Sequence, residues 1–358
     1  MPARHSSIAL ALAAALAATA RAGTAKVHVA IPPRSTTTTP VATGSPTPTP
    51  TPTPSKTATK PGSILTDQRT VALGFAATAV VPAGPVVYAV GADAGKVTVA
   101  RIDVAAKTVT AQRFFPGSAV RASVGGGALA VLVSGHGTTV ARLDLHTLAV
   151  TAQRTLAGPA EDVLARPEAV YVSTPGRILG LDPATLQTRR GLAVDDDPQQ
   201  GANGAEIAAD PRSNVLDAGI PSSAHPVIDV LDLRTGHVLA RSRVQAVVYA
   251  DPQGYGDDSW AVFATGMMAA AELLTPTGHV RTTLYQIGPN SASIAVTGRH
   301  LWTFAPSFRQ NIQCRDLRTG AVEGSEPNPA VGMATAADDT HVYLAGNTSL
   351  SIYTPGGA

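Results

Sequence analysis

Nine histidines, one cysteine and a few acidic turns are the side chains of this 358-residue chain from which metal or nucleophilic chemistry could be built. None stands at a spacing that such chemistry favours. There is no Gly-x-Ser-x-Gly elbow to expose a serine nucleophile, no His-Glu-x-x-His pair, no phosphate-cradling loop and no paired cysteines. His237 and His279 recur in matching Thr-Gly-His-Val turns, which marks them as structural or merely exposed. His136, His225, His300 and His341 are predicted at strand ends or in loops, with no two at ligand spacing. Cys314 lies in a strand pattern with no nearby His or cationic cluster to lower its pKa, so an inert buried thiol is expected. Acidic turns at Asp195-Asp196-Asp197, Asp251, Asp257-Asp258 and Asp338-Asp339 offer oxygen ligands of the kind calcium requires. None has the spaced Asp-x-Asp-x-Asp pattern, and solvated turns are the competing reading. The sequence therefore predicts no catalytic residue, no metal site and no cofactor, with calcium at these turns as the alternative.

The elements that would position any site repeat along the chain. Asp232-Leu233-Arg234-Thr235-Gly236 recurs letter for letter as Asp316-Leu317-Arg318-Thr319-Gly320, and looser copies end in Asp103, Asp144 and Asp182. With the turn threonine as ruler, Thr147, Thr185, Thr235, Thr277 and Thr319 are 38, 50, 42 and 42 residues apart. A period of about 40 with alternating apolar and polar residues around a tight turn is the signature of propeller blades. Small residues such as Ile294-Ala295-Val296 suit an innermost strand, where blades crowd round a channel. Tyr88, Tyr171, Trp260, Trp302 and Tyr343 share one position in the following strand, where packing between blades is favoured over a sugar platform. The fold class expected is all-β: a seven-bladed β-propeller of four-stranded blades. The last repeat lacks an outer strand, and Thr66-Asp67-Gln68-Arg69-Thr70 mimics the outer strand Thr151-Ala152-Gln153-Arg154-Thr155. An N-terminal strand is therefore expected to close the ring, leaving no open edge.

Tyr171-Val172-Ser173-Thr174 followed by Ile178-Leu179-Gly180-Leu181-Asp182-Pro183-Ala184-Thr185 resembles the YVTN-repeat and quinoprotein-like propellers, and the likeness extends over most of residues 66–358. The quinone-dependent branch closes each repeat with a tryptophan. Only Trp260 and Trp302 exist here, both in the preceding strand, which speaks against a pyrroloquinoline quinone site. The resemblance implies that ligands meet the face where the innermost strands begin. Mapping the repeat places Arg121, Glu161, Asp162, Glu206 and Asn290 at that channel mouth as candidate ligand-binding residues, against the alternative of a merely solvated channel. Relatives of this fold include lactonases and lyases.

Residues 1–22 read as a secretory signal: Arg4 and His5, an apolar run from Ile8 to Ala18, then Ala20-Arg21-Ala22 as a small-x-small cleavage site. The run falls short of the ~20 residues a membrane-spanning helix needs, so no transmembrane span is expected in the mature chain. Residues 23–61 form a Thr/Pro-rich linker with strict Thr-Pro alternation from Pro46 to Pro54, an extended spacer or a glycosylated stalk. The domain proper is 62–358. Six of the 27 basic residues and none of the 25 acids precede residue 62, so 21 bases face 25 acids in the domain. A mildly acidic domain with scattered arginines disfavours nucleic acid. No lysine follows Lys107, a bias that points to a GC-rich bacterial genome. The function expected is a secreted, cell-surface or wall-associated, non-catalytic binding module, monomeric, for an envelope protein, a wall polymer or a small polar ligand. The alternative is a lactonase- or lyase-type enzyme with its site at the channel mouth.

Overall fold

A computed structural model describes residues 63–356 except 195–203, 211, 221–226, 244–249, 256–257, 266–267, 290–292, 306–310 and 328–333. The expected leader and linker, the triple aspartate at 195–197, His225, Asp257 and Asn290 lie outside the described residues. The described chain forms seven antiparallel sheets of four strands each. Six blades run in chain order at 79–116, 119–156, 162–193, 206–243, 250–289 and 293–327. In each, the inner, second, third and outer strands follow one another as hydrogen-bonded neighbours. The inner strand of every blade touches the inner strand of the next, from the first round to the seventh and back, so the ring is closed. No described helix is long and apolar enough to cross a membrane.

The seventh blade is completed as the sequence predicts. Leu65–Ala72 lies antiparallel to Ser349–Pro355, pairing Leu65 with Pro355 and Ala72 with Ser349 around a bulge between Thr66 and Arg69. Backbone bonds extend the closure at both ends, from Leu73 N to Thr348 O (2.8 Å) and from Gly356 N to Ile64 O (2.8 Å).

Local chemistry explains why the Asp-x-x-Thr turn recurs. The carboxylate of Asp144 accepts the amides of His146 (3.0 Å) and Thr147 (2.8 Å), and Asp316 accepts those of Arg318 (3.1 Å) and Thr319 (2.7 Å). Bonds from the amides of Thr147, Thr185 and Arg234 hold Asp144, Asp182 and Asp232 below the usual carboxylate range; for Asp316 the Thr319 hydroxyl leads. The residue after the threonine is left-handed, with φ of 78° at Gly236 and 71° at Gly320. Leu148 and Leu186 adopt the same conformation at 56° and 57° without glycine's freedom. Both are fully buried, so packing offsets a cost of about 1–2 kcal/mol.

The core sits between blades rather than at one centre. One cluster joins Tyr88 and Val99 of the first blade to Leu129 and Leu143 of the second; another joins Trp260 of the fifth to Leu301 and Leu317 of the sixth. The aromatic position predicted to pack between blades does so. Tyr88 donates its hydroxyl to Leu145 O (2.6 Å), and Trp260 donates Nε1–H to Leu317 O (3.1 Å). Each acceptor belongs to the next blade's turn.

Candidate functional site

Antiparallel blades give the ring two chemically distinct faces. On one lie the hairpins between second and third strands and the crossovers from each outer strand to the next inner strand. On the other lie the turns into the second strands and the Asp-x-x-Thr turns. The channel-mouth candidates belong to the first face. Arg121 is on the inner strand Ala119–Gly125, Glu161 immediately precedes the inner strand Asp162–Ala165, and Glu206 opens the inner strand Glu206–Ala208. Three consecutive blades therefore contribute a charge each. Arg121 Nη2 and Glu161 Oε1 are 3.5 Å apart and remain 43% and 34% exposed, a loose pair reachable by a polar ligand. Asp162 is committed elsewhere: its Oδ2 accepts the amide of Ile207 (2.9 Å), tying the third blade's inner strand to the fourth's. Ser123 does the same one blade earlier, accepting the amide of Ala165 (3.0 Å). The structure thus places Arg121 and Glu206 on inner strands and Glu161 just before the one between them, and gives Asp162 a structural bond.

The same face carries clefts over blades one to three that the sequence does not reveal. A cleft of ≈ 680 Å³ is lined by Gly95, Pro116, Gly117, Ser118 and the hairpin Gly135-His136-Gly137. A second, of ≈ 320 Å³, shares that hairpin and reaches Leu156–Pro159. A third, of ≈ 270 Å³, shares Leu156–Pro159 and continues to Arg154, Thr174 and Arg177. His136 is exposed where the first two meet. Glycine is required at Gly117, where a Cβ would meet the Val133 side chain at 2.4 Å. The hairpin and crossover backbone is held from within, with Gly117 N donating to Gly95 O (2.9 Å), Ser118 N to Ser134 O (2.8 Å) and Gly135 N to Gly137 O (3.0 Å), so the clefts are firm-walled and present His136 at their junction.

Among the described residues, the acidic turns at Asp258 and Asp338-Asp339 hold protein partners. Asp338 accepts the amides of Thr340 and His341 (both 2.7 Å) and the hydroxyl of Tyr343 (2.9 Å). Asp339 accepts the amide of Gly298 (2.7 Å), and Asp258 pairs with Arg281 at 2.7 Å.

Two polar features inside the blades have no motif in the sequence. Asp217 occupies, in the fourth blade, the register position that Tyr88, Tyr171, Trp260, Trp302 and Tyr343 occupy elsewhere, and is 3% exposed. Burial pushes its carboxyl up to about 7; the Ser259 hydroxyl, which has no hydrogen bond of ordinary geometry, opposes the rise, and Asp258 adds to it. In the sixth blade His300, Cys314 and Glu323 converge from three adjacent strands, their ligating atoms within 4.8 Å of one another. Cys314 is buried as expected, but a histidine does stand beside it, because strand register brings together residues that are distant in sequence. Burial, and then the Glu323 carboxylate, push the thiol up to about 12.

No protein-family model matches the chain, and no curated protein matches it. Solved structures do. A chain of hydrazine synthase from Kuenenia stuttgartiensis aligns with a TM-score of 0.64 at 14% identity, over 79% of this chain and 96% of that one. The β-propeller domain of Cps50 (Swd1) from Myceliophteria thermophila aligns at 0.62 and 12% identity, over 80% and 99%. BamB from Moraxella catarrhalis aligns at 0.52 and 13% identity, over 81% and 100%. At such identities the likeness is one of fold, and function has to be argued from the site.

Proposed function

We propose that this protein is a secreted, cell-envelope-associated propeller that binds an extended segment of an envelope protein or wall polymer without turning it over. The observation that carries this reading is the run of adjoining clefts across blades one to three, joined through Gly135–Gly137 and Leu156–Pro159. A chain laid along them would meet backbone groups, the His136 ring and the Arg154 and Arg177 side chains in turn. The signal-like composition of residues 1–22 and the Thr/Pro-rich composition of residues 23–61 support the location. The reading needs no cofactor, no nucleic acid and no second copy of the chain.

The second reading is a lactonase- or lyase-type enzyme. It is favoured by Arg121 beside Glu161, with Glu206 on the next inner strand. In that case Arg121 would neutralise a carboxylate or developing oxyanion and Glu161 would move the proton. A thermal-shift series with envelope fragments, lactones and sugar phosphates separates the two. A ligand at 100 times its Kd stabilises by about 2.7 kcal/mol. Stabilisation by fragments, lost on substituting His136 and kept in Glu161→Ala/Glu206→Ala, supports the binding module. Stabilisation by a lactone, lost in the double variant and accompanied by turnover, overturns it.

A further inference from the structure

The sixth blade departs from the first, second and fifth at three matched positions at once. Register and the outer-strand bulge align His300, Cys314 and Glu323 with Val86, Arg101 and Thr110 of the first blade and with Ala128, Arg142 and Thr151 of the second. There the arginine bonds the threonine hydroxyl, at 2.5 Å in the first blade and 2.8 Å in the second. In the fifth blade the matched Asp258 and Arg281 form an ion pair. At this lattice point those three blades supply their own guanidinium cation. The sixth supplies an imidazole, a thiol and a carboxylate, and among the described residues no lysine or arginine pairs with Glu323. Arg315, next to Cys314 in the chain, is turned to Gly320 O and the Gln313 side chain.

The geometry suits a metal ion. His300 Nδ1 lies 3.1 Å from Glu323 Oε2, and Cys314 Sγ lies 3.8 Å from the same oxygen. Ligand atoms about 2.0–2.3 Å from a tetrahedral zinc ion are roughly 3.3–3.8 Å apart, so these contacts need little adjustment. Glu323 is the extra residue of the bulge, since Cys314 pairs with Gly324 and Arg315 with Val322; an unbulged strand would not bring it onto this face. The Trp302 ring stands edge-on to the His300 ring at a centroid distance of 6.2 Å. Entry is open, because the His300 and Glu323 side chains are 29% and 35% exposed while Cys314 closes the floor. Three ligands of nitrogen, sulfur and oxygen with a solvent side match the open form of zinc coordination.

We propose that His300 Nδ1, the Cys314 thiolate and the Glu323 carboxylate bind one divalent cation of the zinc class, with water as the fourth ligand. The ion takes the place of the arginine used in the first, second and fifth blades and fastens three strands of the sixth. Ile64 lies against Gly324, so the fastening adjoins the start of the strand that closes the ring. The test is titration of the purified, chelator-treated full chain with cobalt(II), followed by zinc. One equivalent of cobalt should give four-coordinate visible bands and a thiolate-to-cobalt charge-transfer band in the near ultraviolet, both removed by zinc. Cys314→Ser should abolish the charge-transfer band, and Glu323→Gln should weaken cobalt binding tenfold or more. His237→Ala, on a distant exposed turn, should change neither. Glu323 is exposed, so its variant decides the matter even if Cys314→Ser fails to fold. Absence of the thiolate band in the wild type, or unchanged affinity in Glu323→Gln, would overturn the proposal.

Discussion

The two faces of the ring use their loops to different ends. On the face of Asp-x-x-Thr turns several polar groups are satisfied by the neighbouring blade. Arg166, 7% exposed, reaches from the third blade to Asp210 O (2.8 Å) and Ser213 O (2.6 Å) of the fourth. Tyr88 and Trp260 cap carbonyls of the neighbouring turns from below. On the opposite face, glycine-rich hairpins and Pro-Gly crossovers leave clefts and an exposed His136. Such a division teaches where to seek function. A repeat constrains residues that build the turn and the seam, and side chains outside that role are free to meet a partner.

Substitutions can break this contrast, and the largest effect is expected at the seam. Trp260→Ala should cost about 3–5 kcal/mol in chemical denaturation, because it opens a cavity and strands the Leu317 carbonyl. Next is Asp217, the one acid in the aromatic slot. Its carboxyl holds its proton to about pH 7 when folded, against an ordinary value of 3.8. A raised carboxyl pKa leaves stability intact below about pH 4 and erodes it as pH climbs towards 7. Asp217→Asn should therefore stabilise the protein at pH 8, by up to about 4 kcal/mol, and leave it unchanged at pH 4; urea melts at the two pH values read the difference. Arg166→Ala should cost about 2–3 kcal/mol by uncapping two buried carbonyls. His136→Ala, on the clefted face, should stay within about 0.5 kcal/mol of wild type in the same melts. A large loss there would mean that this face too is structural.

Much of the scaffold was legible in the sequence, because propeller geometry is written in letters that recur. The period of the turn threonine, the aspartate that caps turn amides and the copy of an outer strand at Thr66–Thr70 each have a local cause. The site was less legible. Repeat mapping put Arg121, Glu161 and Glu206 at the channel mouth, but could not show that Asp162 bonds the amide of Ile207. The clefts are gaps between glycine-rich loops, and no residue type announces a gap. Asp217 is visible only as an exception once the aromatic position is aligned strand by strand. His300 and Glu323 are 23 residues apart, and they meet through two strand pairings and a bulge that no short motif encodes.

The contrast between the faces is tested most directly by site-specific photo-cross-linking in intact cells. A photoreactive residue is placed at position 136 on the clefted face, or at position 279 in the exposed turn on the other. The account predicts one discrete cross-linked species from position 136, competed away by purified wild-type protein, and none from position 279. Equal cross-linking at both positions, or a species from position 279 alone, would contradict it.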